Sequence, residues 1–312
     1  MRLLRDRPAP KIDAAFCLKV ACCLFLMQVI ACDTTAEAQS GNDPQQPLVW
    51  TRASGTTFAL FPSGDVYAVY AADPHRPTNA LTEMVYSHGG IEDARSPRVG
   101  VAAGGRFGVL RIDPGTAGGR SWQVSISAGL DGVFDSDHRL DAVGWDGNYG
   151  FLVTTAAGGP LSFKVAVLHQ SSHLGDEYAE RTGRTRINYS REELALGVSW
   201  RLTPRWRAYG EAGAGYRTRY EEQEPWRSQG GVEYESRPAL WGGRFAWYMA
   251  ADLSVMQERA WRLDTALQGG IVTRANGHTH RFGVGWTDGR PTIGEFFQQS
   301  EGWFTFGWWI DL

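Results

Sequence analysis

Past residue 32 the 312-residue chain has no cysteine: all four, Cys17, Cys22, Cys23 and Cys32, lie at or before that point. Everything downstream therefore lacks disulfides, thiolate metal sites, iron–sulfur ligation and a cysteine nucleophile, and must draw its stability from elsewhere. Charge of one sign is lacking too. With 31 basic and 34 acidic side chains the net charge is −3, so there is no basic field for nucleic acid and no nucleic-acid partner is expected. Beyond the N-terminal region no run approaches the ~18 apolar residues of a membrane helix, and amphipathic stretches of helical period are scarce.

The N-terminus carries an export pattern. Arg2, Arg5, Arg7, Lys11 and Lys19 precede an apolar run from Val20 to Ala31, and Ala36-Glu37-Ala38 supplies small residues for cleavage before Gln39. A basic start, a short apolar segment and a small-residue exit describe a secretory signal over residues 1–38. Val29-Ile30-Ala31-Cys32 offers a second reading, a lipoprotein box that would leave Cys32 as an acylated first residue.

What the rest has in quantity is glycine (38) and tryptophan (13). An exported chain rich in both, with no helix to span lipid, points to a closed β-barrel, in which every backbone polar group pairs with a neighbouring strand. Such strands alternate, one face to lipid and one to the interior. Trp122, Val124, Ile126, Ala128, Leu130 and Phe134 share one parity, with Gln123, Ser125, Ser127, Asp131 and Asp135 on the other. Trp247, Met249, Leu253 and Val255 likewise alternate with Tyr248, Asp252 and Ser254.

Reading the whole chain this way gives strands near 81–88, 98–112, 120–135, 140–156, 161–172, 188–202, 205–220, 226–236, 244–258, 261–274, 279–288 and 302–312. The expected fold is all-β, a transmembrane antiparallel barrel of about twelve strands over residues 81–312, in the bacterial outer membrane. Lys164, Arg205, Arg207, Glu211, Arg217, Asp252 and Asp264 fall on the inward parity and predict a polar lumen. Residues 39–80 are irregular and contain several prolines, as a periplasmic lead-in or a plug would. The longer connections, near 173–187 and 289–300, belong on the extracellular side.

One stretch carries candidate chemistry. In "VLHQSSHLGDEY" the alternation of Phe163, Val165 and Val167 continues into His169, Ser171 and His173, so these polar groups look outward at the membrane boundary. His169 and Ser171 stand about 6.6 Å apart along the strand, close enough for an imidazole nitrogen to reach a hydroxyl. On the next strand the outward parity of Leu194 and Leu196 runs back through Glu192, Ser190 and Asn188. A hairpin centred near residue 179 would set Ser171 opposite Asn188, His169 opposite Ser190 and Glu192 beside Val167, whereas a slip of two residues keeps the face and changes the partners. A hydroxyl nucleophile needs an adjacent base that is itself held in place. His173, Asp176 and Glu177, with His169, offer a competing set of imidazole and carboxylate ligands for zinc.

His-x-Ser on an outward barrel face, with a polar residue on the neighbouring strand, resembles outer-membrane phospholipase A and the lipid A deacylases. The resemblance implies that Ser171 attacks an acyl ester, His169 takes its proton, and Asn188 or Glu192 orients the histidine. Those families usually read His-x-Ser-Asn, whereas this chain has His169-Gln170-Ser171-Ser172. No cofactor is implied; calcium held by loop carboxylates is compatible with the esterase reading, without a position in the sequence. The lipid partner would be phospholipid or lipopolysaccharide. "EGWFTFGWWIDL" resembles the C-terminal signal by which barrel-assembly machinery takes up outer-membrane proteins, with Leu312 where Phe or Trp is usual. "FPSGDVYAVYAADPHRP", "HQSSHLGDEY" and "RINYSREEL" together resemble a domain-of-unknown-function family of predicted bacterial outer-membrane barrels. The non-enzymatic alternative is a barrel serving structure, adhesion or passage of a small solute.

Overall fold

The computed structural model describes residues 48–89, 91, 97–116, 118–156 and 158–312. The expected signal segment 1–38 and residues 39–47 lie outside the described residues.

Strands β3 (Asn79–Gly89), β4 (Arg98–Asp113), β5 (Ser121–Asp135), β6 (Asp141–Ala156), β7 (Leu161–Leu174) and β8 (Ser190–Arg201) follow one another as antiparallel neighbours. So do β9 (Trp206–Thr218), β10 (Trp226–Glu235), β11 (Ala246–Met256), β12 (Leu263–Ala275), β13 (His278–Gly289) and β14 (Glu301–Asp311). Pairing of β14 with β3, from Ile310 opposite Asn79 to Glu301 opposite Gly89, closes the ring at twelve strands. Closure removes the free edge that an open sheet would expose to lipid. The seam is sealed in register, except for one irregularity at Gly302/Trp303.

The outward positions form an apolar band. Phe151, Val153, Phe163, Val165, Val167, Leu194, Leu196, Val198, Met249, Leu253, Leu267, Val284, Phe304 and Phe306 are all exposed. Such a surface is unfavourable in water and is matched by hydrocarbon. Trp200, Trp206, Tyr234 and Trp247 ring one end of it, with Tyr234 within 4.8 Å of Trp206 and 4.6 Å of Trp247. Trp145, Tyr149, Tyr216 and Trp226 stand at the other end, as interfacial aromatics do. Glu83, exposed between Leu81 and Val85 on β3, is a charged exception within the band.

The two mouths differ. Short turns such as 158–160, 202–205 and 276–277 lie at one mouth, with the start of β3 and the end of β14. The longer connections 175–189 and 290–300 lie at the other, as the sequence led us to expect. The first of these contains helix α1 (Asp176–Thr182), which ends on Gly183 in the left-handed region at φ 69°, where glycine has no side chain to strain.

Residues 48–78 are more ordered than their composition suggested. β1 (Leu48–Thr51) and β2 (Thr57–Leu60) form a hairpin that pairs with the end of β4 at the short-turn mouth, Leu60 opposite Leu110. From Phe61 the chain turns into the barrel. Arg106 of β4 donates to the Tyr67 carbonyl (2.6 Å), Arg207 of β9 to the Val69 carbonyl (2.5 Å), and the Ala71 N–H donates to Glu233 of β10 (2.7 Å). Tyr70 stacks on Tyr209 at 3.9 Å and donates to Glu211 at 2.8 Å. Lys164 of β7 lies over both Tyr67 and Tyr70. Contacts with strands all round the wall mean that residues 61–78 cross the lumen as a plug. Gly197 makes room for it: a Cβ there would meet the Tyr67 hydroxyl at 2.8 Å.

The inward parity is polar, as expected for Lys164, Arg207, Glu211, Asp252 and Asp264, all buried. Arg227 pairs with Glu193 (2.6 Å) and Glu211 (2.5 Å), and Glu211 also with Lys164. Buried charges persist only when paired in this way. Two of the expected inward residues depart. Arg205 lies in the exposed turn between β8 and β9. Arg217 is placed opposite outward-facing Glu192, because a bulge between Glu192 and Glu193 consumes Tyr216 as an extra residue, and the extra residue flips the face.

Candidate functional site

β7 carries the outward row Phe163, Val165, Val167, His169, Ser171 and His173. The first three are exposed at 41, 47 and 44 %. From Leu161 at the short-turn end to His169 is about 26 Å along the strand at ~3.3 Å per residue, or roughly 20 Å along the membrane normal at ~40° tilt. His169 therefore stands where the apolar band ends, on the side of the long connections.

The pairing of β7 with β8 sets Ser171 opposite Ser190, His169 opposite Glu192 and Val167 opposite Leu194. This is two residues away from the register expected from the hairpin centre. The face is preserved, since a slip of two leaves parity unchanged. Its cause is the length of the connection: α1 and the extended residues after it take up 175–189, so β8 begins only at Ser190. Asn188 is thereby left exposed in the connection, off the strand, and does not face Ser171. Glu192 is the residue that faces His169.

The His169 Nδ1 lies 2.7 Å from Glu192 Oε1. An ionised carboxylate can only accept, so in this contact the ring donates through Nδ1. Tyr149 of β6, directly opposite His169 in the ladder, stacks on the imidazole at 4.3 Å with the planes 18° apart. Sequence reasoning missed Tyr149, although its outward parity on the preceding strand was a usable signal. Together Tyr149 and Glu192 hold the ring on two sides. Ser171 sits two positions on, between Gly147 of β6 and Ser190 of β8. Its hydroxyl has no hydrogen-bond partner among the described residues, so it is free to rotate. A Cβ on Gly147 would come within 3.4 Å of the Ser171 hydroxyl, and glycine there leaves that side open.

The metal candidates do not converge. His173 stacks on Trp145 at 4.0 Å on the outer face. Asp176 pairs with Arg186, and Glu177 is in the first turn of α1. Among the described residues no group of three or more histidines, cysteines and carboxylates is disposed to hold a metal ion. The reason is local: Leu174 and Gly175 turn the chain inward over the mouth, away from the row that carries His169 and His173.

Ser172, the inward neighbour of Ser171, fastens β7 to a cap formed by residues 290–300. It donates to the Asp146 carboxylate, which also accepts the Gly294 N–H at 3.1 Å, while the Glu295 N–H donates to Ser172 Oγ at 2.8 Å. Ile293 and Phe296 pack with Val143, Leu174 and Tyr178 in the main apolar cluster of this mouth. The Glu295 carboxylate accepts the Ile187 N–H at 3.0 Å. Burial raises its carboxyl from the usual 4.5 to about 7, against the opposing pull of that N–H and of Arg184. The folded cap thus favours the protonated form. Its full stability holds below about pH 4.5, where the open form is protonated too, and is lost as pH rises through about 7. Backbone amides of 290–300 should exchange more readily, relative to their intrinsic rates, at pH 8 than at pH 5. Glu295→Gln should reduce that difference in a hydrogen-exchange measurement.

A family model described as "Protein of unknown function (DUF1207)" matches residues 20–309. The chain belongs to this family. No curated protein matches. Among solved structures, a NanC porin is similar at a TM-score of 0.40 with 10 % identity, over 75 % of this chain and 99 % of that one. The CymD monoaromatic hydrocarbon channel gives 0.36 with 9 % identity, over 74 and 86 %. The Pseudomonas putida toluene transporter TodX gives 0.31 with 7 % identity, over 84 and 80 %.

Proposed function

We propose that this member of the DUF1207 family is an integral outer-membrane barrel that hydrolyses acyl esters of envelope lipid at its outer wall. Ser171 is the nucleophile, His169 the base and Glu192 the residue that orients the base. The observation that carries this reading is the 2.7 Å contact between His169 and Glu192 on the lipid-facing row that also bears Ser171. A histidine–carboxylate pair on the lumen side would be ordinary in a polar interior. Outside, at the edge of the apolar band, it stands where an ester carbonyl of the outer leaflet lies.

The chemistry follows from the protonation pattern. His169 Nε2 takes the Ser171 proton as Oγ attacks the ester carbonyl carbon, and Glu192 stabilises the imidazolium through Nδ1–H. Collapse of the tetrahedral adduct breaks the carbon–oxygen bond to the alcohol, which leaves with the proton from Nε2. Water, deprotonated by the same nitrogen, then releases the fatty acid and restores the serine. Stacking on Tyr149 limits rotation of the ring during both transfers.

Location in the outer membrane is supported by the closed sheet, the apolar band and its two aromatic girdles. The outward Phe304 and Phe306 of β14 fit uptake by barrel-assembly machinery. The decisive experiment is mass spectrometry of fatty acid released from phospholipid and from lipid A by the purified barrel in detergent. Release by the wild type and its loss in Ser171→Ala support the proposal. Equal release by both, or none by the wild type on either lipid, overturns it, and the choice of lipid identifies the substrate.

A second reading, a gated conduit for a small solute, is favoured by one feature. A vestibule of about 960 Å³ leads from the short-turn mouth up to the plug.

A further inference from the structure

We propose that this vestibule is a binding site for a small organic anion, a carboxylate or phosphate carried on an apolar body, reaching the barrel from the short-turn side. The inference is independent of the outward-facing serine.

The volume, about 960 Å³, is that of a small-molecule site, ~300–1,000 Å³, and far exceeds what a lone inorganic anion fills. The four acidic side chains of its lining are all engaged. Asp65 pairs with Arg106, Glu233 with Arg207, Glu235 with Arg274, and Asp311 with Arg76 and Arg281. Three lining arginines remain. Arg201 at the end of β8, Arg205 in the following turn and Arg237 after β10 are exposed at the mouth and make no ion pair among the described residues.

Deeper in, two donors on the wall lack acceptors. Among the described residues the Tyr248 hydroxyl and Arg207 Nε have no hydrogen-bond partner, in residues only 4 and 9 % exposed. Buried donors are normally satisfied, and these two belong to residues that line one cavity, which marks them as candidates for an acceptor from outside. Val69, Ala71, Ala250 and Leu312 supply apolar lining. Unopposed guanidinium groups at the mouth draw an anion in, the inner donors receive its oxygens, and the apolar lining takes the rest.

The test uses the full barrel in detergent and three probes: phenyl phosphate, inorganic phosphate and benzyl alcohol. Calorimetric titration should show saturable binding of phenyl phosphate, weaker binding of inorganic phosphate and none of benzyl alcohol. The triple variant Arg201→Gln, Arg205→Gln, Arg237→Gln should bind phenyl phosphate at least about tenfold more weakly, and Tyr248→Phe several-fold more weakly. Absence of saturable binding, or equal affinity in wild type and triple variant, overturns the proposal. If the triple variant fails to assemble, as read by heat-modifiable migration on a gel, Tyr248→Phe decides alone. Unchanged affinity in that variant overturns the site.

Discussion

Glu192→Gln yields a folded barrel whose acyl-ester hydrolysis is slower by about three to four orders of magnitude. The substitution keeps the size of the side chain and its place on β8, so packing against His169 survives. What changes is the proton inventory. A carboxylate accepts only, and so favours the tautomer with the proton on Nδ1 and the lone pair at Nε2. An amide can instead donate its N–H to Nδ1, which stabilises the opposite tautomer and leaves Nε2 protonated, useless as a base. The amide also withdraws the negative charge that steadies the imidazolium. The rate of fatty-acid release, compared with that of Ser171→Ala, measures the effect. Wild-type rates in Glu192→Gln would remove Glu192 from the mechanism while leaving His169 and Ser171 in question.

The second large effect concerns the lumen. In a planar bilayer the wild-type barrel should be electrically silent. Replacing residues 62–77 by a flexible Gly/Ser linker converts it to a steady ohmic conductor. The plug meets Arg106, Lys164, Arg207, Glu211, Glu233 and Asp311 from five or more strands, and the spaces left around it are small, about 170 and 100 Å³. Neither offers the continuous water column that ions need. The linker must reach from Leu60, opposite Leu110 of β4, to Ala80, opposite Ala102 of the same strand. That is about 26 Å at ~3.3 Å per residue, within reach of an extended linker of about sixteen residues. Silence in the linker variant would mean that the cap of residues 290–300, fastened by Asp146 and Ser172, suffices to seal the other mouth. Current in the wild type would instead favour the conduit reading.

Alternation made the barrel legible. Rows such as Trp122 to Leu130 and Phe163 to Val167 have a period of two, and the twelve strands they imply are the twelve that form the ring. The outward face of His169 and Ser171 was readable for the same reason. Partners across the ladder were not, because parity is blind to slips of two: Asn188 and Glu192 share a face, and only the length taken up by α1 and residues 183–189 decides between them. Arg217 was misplaced because one bulge resets the parity, and a bulge leaves no compositional mark here. The plug and the cap were opaque for another reason. Residues 61–78 and 290–300 have no period, and their tyrosines, phenylalanines and arginines find partners only through distant strands. The isolated apolar cluster Ile293, Phe296 and Phe297 in a polar connection was the one hint that 290–300 folds inward.

The hairpin β1–β2 and strand β3 are both stitched to the same edge of β4, one beside Leu110 and the other beside Ala102, and the plug spans the gap between them. It is a loop tied down at both ends, both toward the short-turn mouth, so it stays tethered to the barrel wherever it moves. In the mature barrel, any molecule that crosses has to pass a stopper that swings in place and is never ejected.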